Sequence, residues 1–407
     1  MPAKRQFSDQ ARRRGAIRTR AQRRRQIQRR RLAVVLVAAG VSSAALIFSV
    51  WPVTGGSPSG GAISSNADGG AGSNSAAAAA VGGAKPKVNP NARITIAAVG
   101  DTMMGSPQFG LPAAGGRDLF SATAPYLKAD VSIVDQEGTL TDVATTKCTG
   151  SSTHCFAFAS PPNYAANLTA AGFNVANLAN NHTDDAGPVG LDDTVAALTR
   201  VHLPHTGLPG QFALMHVGKV AVAVLGFAPY DWCADSLDLA DVRALVQQAS
   251  RRANVVVAYF HAGAQGADET NVGRGPESVF GDPQGDIRQL THTFVDAGAD
   301  LVIGTGPHVL RGIQFYKGKM IDYSLGNFLG YRGFALGGNL STSAVLQATV
   351  TASGRFVSAR LRPVQLDRDG VPSPGGSGIS LVKTVSTEDF GSSAAQISAS
   401  GAVRPPT

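Results

Sequence analysis

Residues 93–105 have the sequence RITIAAVGDTMMG, and this stretch decides the fold class. A β-rich apolar run ends in Gly100-Asp101, which is typical of a buried strand that leads into a polar loop. Further runs of strand length follow at residues 130–135, 173–178, 217–227, 254–261 and 300–304. Helix-like windows lie between them at residues 163–171, 190–201, 241–253 and 287–297. Strands that alternate with helices predict an α/β domain with largely parallel strands.

Two hairpins are predicted near the end of this domain, since a short Gly-containing turn separates two apolar runs in each. They pair residues 312–316 with 320–324 across Lys317-Gly318-Lys319, and residues 344–350 with 356–363 across Ser353-Gly354. Beyond residue 370 the chain is rich in Gly and Ser. This composition predicts a flexible tail over residues 371–407.

The formal net charge of +8 is concentrated at the N-terminus. Residues 1–31 contain 13 Lys and Arg and one acidic residue, and the rest of the chain holds 23 Lys and Arg against 27 Asp and Glu. The basic residues therefore belong to a tail and not to a binding face of the folded domain. No nucleic-acid partner is expected for that domain.

An uncharged apolar segment, residues 32–53, follows the basic tail directly. It is long enough to cross a bilayer as a helix, and the arginines before it predict a cytoplasmic N-terminus and an extracytoplasmic C-terminal domain. A cleaved signal peptide and a nucleic-acid-binding arm are the alternatives. The expected organisation is a basic cytoplasmic tail (1–31), a single transmembrane anchor (32–53), a Gly/Ser/Ala-rich linker (54–92), a globular domain (93–370) and the tail (371–407).

The three cysteines agree with an oxidising compartment. Cys148 and Cys155 flank a short polar loop, which predicts a disulfide between them. Cys233 is then left as a buried small hydrophobe, or it pairs with one of the other two. Zinc binding by Cys148, His154 and Cys155 is a weaker alternative, since no second pair of ligands lies nearby.

Side chains suited to metal binding or acid–base chemistry follow the predicted strands. In chain order they are Asp101, Glu137, Asn180-Asn181-His182 with Asp185, His261, His308 and, after the first hairpin, Asn327. Because loops after the parallel strands of one sheet open on the same side, these residues are expected to share one pocket. Carboxylate, amide and imidazole ligands suit Mn, Fe, Zn or Mg. Two such ions can activate water and clamp phosphoryl oxygens.

The motifs that carry these residues resemble, in order, the signature series of the CapA family of poly-γ-glutamate capsule synthesis. They are Gly100-Asp101-x-Met103-x-Gly105, the Glu137 motif, Ala-Asn-Asn-His at 179–182 with Asp185 and Gly187, His261-x-Gly263, Gly306-Pro307-His308-Val309-Leu310 and Tyr323-Ser324-Leu325-Gly326-Asn327-Phe328. The resemblance covers about residues 93–335. It implies a calcineurin-like metallophosphatase fold, a β-sandwich flanked by helices in four αββα layers.

The resemblance also implies roles for individual residues. The implied metal-site residues are Asp101, Glu137, Asn181, His261 and His308, which would hold one or two divalent ions. His182 is implied as the general acid. The implied partners are an envelope polymer such as poly-γ-glutamate and a membrane synthase complex, whereas the membrane is expected as a partner from the apolar segment at residues 32–53.

Substrate contacts are expected from a second set of residues. Asn180, Asp185 and Asn327 belong to the motifs above. Arg274 and Arg311 lie in loops beside them and could hold a phosphate or carboxylate bidentately, although a solvated loop arginine is an equal alternative.

Several positions depart from the usual metallophosphatase pattern. Met103 stands where such enzymes have a histidine, and Thr305-Gly306 precedes a single His308. Gln136 and Gln265 replace residues that are often Leu and Glu in CapA relatives. These departures leave open one metal, weak metal binding or none. Two functions follow: a metal-dependent hydrolase or transferase of the phosphoesterase type, or a non-catalytic protein that binds, exports or assembles a polymer.

Overall fold

This computed structural model describes residues 85–145, 147–148 and 155–407. The predicted basic tail, the predicted span and residues 54–84 of the predicted linker lie outside these residues. Across the described ranges, no helix combines the length and the apolar character that crossing a bilayer requires. The prediction of a single-pass membrane localisation is contradicted by this finding.

The described residues form two large β-sheets. Sheet 1 has the order β19-β20-β17-β16-β1-β2-β5-β6, with β15 beside β1 and β18 beside β17. Its strands are β1 (Arg93–Met103), β2 (Val131–Gln136), β5 (Val175–Asn177), β6 (His205–Thr206), β15 (Asn327–Gly330), β16 (Thr342–Thr351), β17 (Phe356–Leu366), β18 (Pro372–Pro374), β19 (Gln396–Ile397) and β20 (Ala402–Arg404). The strands from β1 to β6 along this order are parallel, as predicted, whereas β16 and β17 are antiparallel.

Sheet 2 has the order β13-β14-β12-β9-β8-β7, and its four central strands are parallel. Its strands are β7 (Ala213–Val217), β8 (Val220–Phe227), β9 (Val255–His261), β12 (Leu301–Thr305), β13 (Ile313–Tyr316) and β14 (Lys319–Asp322). Two small ladders pair β3 (Thr139–Leu140) with β4 (Ala159–Ser160) and β10 (Pro276–Val279) with β11 (Asp282–Asp286). Both predicted hairpins are confirmed, as the β13–β14 and β16–β17 pairs.

The two large sheets pack face to face. Along β1, Ile94, Ile96 and Ala98 point to one side and belong to the same buried cluster as Val222 and Val257 of sheet 2. This alternation follows from the two-residue period of a strand, which sends successive side chains to opposite faces. The central core therefore lies between the sheets, as in a β-sandwich.

The outer faces of the two sheets are covered by α1 (Ala165–Ala171), α2 (Gly187–Arg200), α3 (Leu239–Arg252) and α4 (Ile287–Ala297). Helix α5 (Gly378–Phe390) instead packs beside β13, β16 and β17. Short 3₁₀ turns lie at Ala113–Gly116, Ala124–Tyr126, Pro162–Tyr164, Gly338–Ser341 and Gly391–Ser393. Leu168 and Leu198 of α1 and α2 pack on sheet 1, whereas Val246 and Phe294 of α3 and α4 pack on sheet 2. The predicted four-layer αββα arrangement is confirmed.

The predicted flexible tail over residues 371–407 is wrong. Helix α5 and three strands lie in this segment. Val382 of α5 joins the core between the sheets, and the Ser386 hydroxyl accepts a hydrogen bond from the Ile313 backbone N–H. The Gly and Ser residues of this segment made its apolar stripe hard to recognise in the sequence. Packing of this stripe on the β-sandwich stabilises the helix.

The predicted linker also ends earlier than residue 92. Val88 packs against the core between the sheets, and the Pro86 carbonyl accepts a hydrogen bond from the Asn254 side chain. Residues 85–92 are therefore part of the folded domain, because they bury apolar surface and pair backbone groups on it.

Candidate metal site at the strand ends

The predicted site residues come from both sheets. Asp101 and Glu137 lie at the carboxyl ends of β1 and β2 in sheet 1. His261 ends β9 and His308 follows β12, both in sheet 2. The structure brings these four residues together, but the expectation that one sheet supplies them is wrong. Because the sheets stack with their parallel strands ending at one edge, loops from both meet there.

Close approach of two backbone segments places the end of β1 beside β15. Gly100 lies against the carbonyl of Gly326, where a Cβ atom at position 100 would stand 1.7 Å from that oxygen. Any larger residue would separate β1 from β15, whose first residue, Asn327, is in register with Asp101. The glycine thus permits the contact that places Asn327 beside the site.

The first potential ligand cluster consists of Asp101, Asp135 and His261. His261 Nδ1 lies 2.9 Å from Asp135 Oδ2 and 3.2 Å from Asp101 Oδ1. The Gly306 backbone N–H donates to Asp101 Oδ1 over 3.1 Å. At Asp135, the other carboxylate oxygen accepts from the Asn177 and Asn180 side chains.

The second potential cluster consists of Asp101, Glu137 and His308. His308 Nδ1 lies 3.1 Å from Asp101 Oδ2, and its Nε2 lies 3.8 Å from Glu137 Oε1. His308 has a φ of 64°, which is uncommon for a residue with a side chain. Its Nδ1 is also 2.8 Å from Asn327 Oδ1, a contact that orients the ring. Because Asp101 belongs to both clusters, one carboxylate lies between two groups of ligands.

Burial makes this cluster electrostatically costly. It raises the pKa of Glu137 to about 8, since a charge there would be desolvated and would face Asp101 and Asp135. Burial also raises the pKa of Asp135. For His308, burial opposes protonation, but Glu137 and Asp101 outweigh it and raise the pKa to about 9. Burial likewise opposes ionisation of Asp101, but His308 and His261 lower its pKa overall.

Buried atoms without hydrogen-bond partners collect at this point. Among the described residues, five such atoms belong to predicted metal-site residues: Asp101 Oδ2, both carboxylate oxygens of Glu137, Asn181 Oδ1 and His261 Nε2. An unpaired buried polar atom costs about 1–3 kcal/mol, so a group of them requires a compensating ligand. Four are oxygens and one is an imidazole nitrogen, a donor set that suits a divalent cation. The residues present therefore fit a metal.

His182 lies at the edge of the cluster. Its Nδ1 is 2.6 Å from Asp185 Oδ2, and its Nε2 lies 3.8 Å from Glu137 Oε1. Lys147 Nζ forms an ion pair with the other oxygen of Asp185 over 3.0 Å. Burial lowers the pKa of His182 to about 4 despite the attraction of Asp185. The ring is therefore neutral at pH 7, with Nε2 on the side of the cluster.

Most of the predicted substrate contacts have structural roles in this fold. Asn180 and Asp185 are fully buried: Asn180 bonds within its own loop and to Asp135, and Asp185 orients His182. Arg311 is 1% exposed and donates to Glu277 and to the carbonyls of Glu269 and Ala264. A substrate cannot reach these buried, paired groups, so their predicted direct contacts are corrected to positioning roles.

The remaining two predicted contacts differ from each other. Asn327 is buried, and its side chain bonds to His308 and to the Leu340 carbonyl. It therefore positions His308. Arg274 is exposed in the loop before β10, so its substrate contact stays a prediction.

Three kinds of residue were missed from the sequence. Glu137 was predicted as a metal-site residue and Asp135 was not, although two acids two residues apart at a strand end share a face. Lys147 has no motif context and reaches Asp185 only through folding. Phe158 and Phe334 form an aromatic wall, with ring centroids 4.2 Å from His182 and 5.3 Å from His308, respectively.

Cys148 and Cys155 form a disulfide in the structure, with their Cα atoms 5.6 Å apart. His154, named in the zinc alternative, lies outside the described residues. Cys233 is buried and free, and its Sγ faces the carbonyls of Leu178 and Asn180. The disulfide joins the chain after Lys147 to the chain before Phe158. It therefore ties together two segments that contact the His182–Asp185 pair.

The four αββα layers and the carboxylate–imidazole cluster at the strand ends define a calcineurin-like metallophosphatase fold with a potential metal site. The family model described as bacterial capsule synthesis protein PGA_cap matches residues 95–332, and the chain belongs to this family. The resemblance to the CapA family stated from the motifs is thereby confirmed.

Two similar proteins are named for capsule or PGA biosynthesis. The capsule biosynthesis protein CapA of Bacillus anthracis is 29% identical over 317 residues, which cover 72% of each chain. The PGA biosynthesis protein CapA of Bacillus subtilis is 28% identical over 221 residues, covering 50% of this chain and 53% of that protein, so the match spans about half of its length. Among solved structures, a 5'-nucleotidase precursor from Thermus thermophilus aligns with a TM-score of 0.39 at 13% identity, over 69% of this chain and 56% of that chain. The fold assignment rests on the layers described above.

Proposed function

We propose that this protein is a metal-dependent hydrolase that uses a phosphoesterase-type site to cleave, with water, the amide bonds of an acidic capsule polymer of the poly-γ-glutamate class. The observation that carries the proposal is the pair of ligand clusters that share Asp101, with five buried ligand atoms left unpaired in the described residues. The capsule-synthesis family and its named relatives support the polymer class.

Asp101, Asp135 and His261 would hold one divalent ion, and Asp101, Glu137 and His308 a second, with Asn181 Oδ1 available to either. Such an ion supplies Lewis-acid polarisation and an activated water. Hydrogen bonds within the chain fix the positions of the potential ligands. Asn327 holds His308 in place, and Thr305 holds Asp135. These fixed contacts reduce the reorganisation that a reaction would require.

Proton transfer is assigned to His182. Asp185 engages its Nδ1, which leaves Nε2 as the atom that exchanges a proton on the cluster side. The Lys147 ion pair fixes Asp185, and the Phe158 ring shields the imidazole from water. Because His182 is neutral at pH 7, it is ready to accept a proton from the attacking water and then to donate it to the leaving amine of the cleaved amide bond.

A polymer-binding protein without turnover is the second candidate. Met103, at the position of a usual histidine ligand, is 1% exposed, and its Sδ receives the Gly105 N–H. Thr305 donates to Asp135 and contributes no imidazole. These two positions reduce the number of strong ligands, which favours weaker metal binding.

The test uses the full chain, purified and loaded with Mn²⁺. Metal content and the chain length of poly-γ-glutamate are measured for the wild type, Glu137→Gln and His261→Ala, with the exposed Glu269→Gln as a charge-matched control. We expect bound metal and shortening of the polymer in the wild type and the control, and loss of both in the two site variants. Metal binding without cleavage would favour the assembly candidate, and absence of metal from the wild type would refute the hydrolase.

A further inference from the structure

A second polar feature lies on the outer face of sheet 1, away from the cluster. It is a groove of about 510 Å³ between β1, β16, β17, β20 and the segment before β2. The groove is defined here by Lys128, Arg360, Arg362 and Arg404 and is called the basic groove. Thr95 also lines it and lies six residues before Asp101 on β1, which corresponds to about 20 Å along an extended strand.

Strand geometry gathers these cations on one face. Ala359 and Leu361 are buried toward the core between the sheets, so Arg360 and Arg362, which alternate with them, point outward. Residues of the same face on one strand lie about 7 Å apart. β20 pairs beside β17, with Arg360 opposite Ala402, which brings Arg404 to the same groove.

The four cations of the basic groove have no ion-pair partners among the described residues, and the carboxylate of the neighbouring Asp130 is instead hydrogen-bonded by Thr95. The lining of the groove itself contains no Asp or Glu. The contacts of its arginines are neutral: Arg360 donates to the Ser400 carbonyl and Arg362 to the Gln347 side chain. By contrast, Lys319 is paired with an acid elsewhere in the domain.

The positive charge of the basic groove is opposite in sign to the net charge of the chain after residue 31. After residue 31 the chain holds 23 Lys and Arg against 27 Asp and Glu, so a groove with four cations and no acid departs from the average sign. An uncompensated positive groove attracts an extended anion, and guanidinium groups bind carboxylates bidentately.

We propose that the basic groove binds a stretch of an extended, carboxylate-bearing chain of the poly-γ-glutamate class, an assignment of the polymer that rests on the proposed function. The groove holds one part of the chain while a distant part reaches the Asp101 clusters. Repeated carboxylates along one polymer match cations repeated along β17 and across to β20. The groove is a binding surface and takes no part in bond cleavage.

Paired substitutions that each remove two positive charges test this assignment on the full chain. Lys128→Gln with Arg404→Gln removes two exposed cations, and Arg360→Gln with Arg362→Gln removes the two on β17. The matched control, Arg243→Gln with Arg251→Gln, removes two exposed charges from α3. All variants keep residues 1–31, so any contribution of that basic segment is common to them.

Affinity for labelled poly-γ-glutamate is measured by fluorescence anisotropy at about 0.15 M salt. Each groove pair is expected to weaken binding about fivefold or more, with less than about a twofold change for the control. Arginine modification by phenylglyoxal, located by mass spectrometry, should be slowed by the polymer at Arg360, Arg362 and Arg404 but not at Arg243. Metal content is expected to be unchanged in every variant.

The outcomes separate this inference from the proposed function. If the wild type binds the polymer but groove and control pairs bind equally and the groove arginines stay reactive, the groove assignment is overturned and the proposed function stands. If the wild type does not bind the polymer at all, both polymer assignments fail. Protection by anionic lipid vesicles or polyphosphate, without protection by poly-γ-glutamate, would overturn the inference and reassign the groove to that anion.

Discussion

Replacing Glu137 with glutamine should change the stability of the protein in opposite directions with and without metal. Both carboxylate oxygens of Glu137 are buried and lack hydrogen bonds from described residues. Burial raises the pKa of this group from 4.5 to about 8. A carboxyl whose pKa is higher in the folded state destabilises the fold increasingly as pH rises from the unfolded toward the folded pKa.

The size of the effect follows from proton linkage. With these two pKa values, Glu137 costs about 3 kcal/mol at pH 7 and about 1 kcal/mol at pH 5. Glu137 also attracts His308, whose Nε2 lies 3.8 Å from Glu137 Oε1, so part of the gain is lost with the substitution. We expect metal-free Glu137→Gln to be about 2 kcal/mol more stable than the wild type at pH 7, and less so at pH 5.

Metal should reverse this order. A ligand at about 100 times its dissociation constant stabilises the state that binds it by about 2.7 kcal/mol, and the variant loses a direct ligand. Urea unfolding of both proteins and of Glu269→Gln, with chelator and with Mn²⁺, measures the difference. If Glu137→Gln is less stable than the wild type without metal, the buried Glu137 carboxylate is compensated by the protein itself. If the variant gains as much stability from Mn²⁺ as the wild type does, Glu137 is not a metal ligand.

Four further predictions address the site and the fold. Metal affinity should rise between pH 6 and pH 9, because Glu137 and His308, with pKa values of about 8 and about 9, must lose protons before they bind an ion. Calorimetry in buffers of different ionisation enthalpy should detect release of about one to two protons on metal binding, and no release would contradict this prediction. His182→Ala should keep its metal yet lower turnover about 10²–10⁴-fold, as measured by polymer cleavage, and unchanged turnover would exclude His182 from proton transfer. Asp322→Asn should stabilise the fold by roughly 4 kcal/mol more at pH 8 than at pH 5, because burial raises the pKa of Asp322 from 3.8 to about 8. An equal gain in unfolding free energy at both pH values, measured by urea unfolding, would count against this. Cys148→Ser should lower the unfolding free energy by about 2–3 kcal/mol, with thiol labelling of the denatured wild type restricted to one cysteine.

The regular elements were predictable where local pattern and tertiary packing agree. The helix predicted over residues 287–297 has these same bounds in the structure. Asp286 caps its first turn and Gly298 ends it in the left-handed conformation. Helix α5 was missed because Gly and Ser dilute its apolar positions, and its stability comes from Val382 and Phe390 packing on the sandwich.

The site was predictable as a set of loops but not as an arrangement. Asp101, Glu137, His261 and His308 follow strands in the sequence, and they lie together in the structure. Asp135 was missed because its role depends on distance: only folding brings His261 to within 2.9 Å of it. The burial that makes Arg311 a structural residue is likewise invisible in a loop sequence.

The sequence by itself determined the alternation of strands and helices, the polar residues after each strand and the family motifs, because strand and helix periods and turn chemistry are local properties. Tertiary structure alone decided that two sheets meet at one edge, that Asp101 is shared by two clusters and that the four cations of the basic groove lie together without ion pairs. These features depend on contacts between residues as far apart as Asp101 and Gly306, and such contacts arise only when the sheets stack.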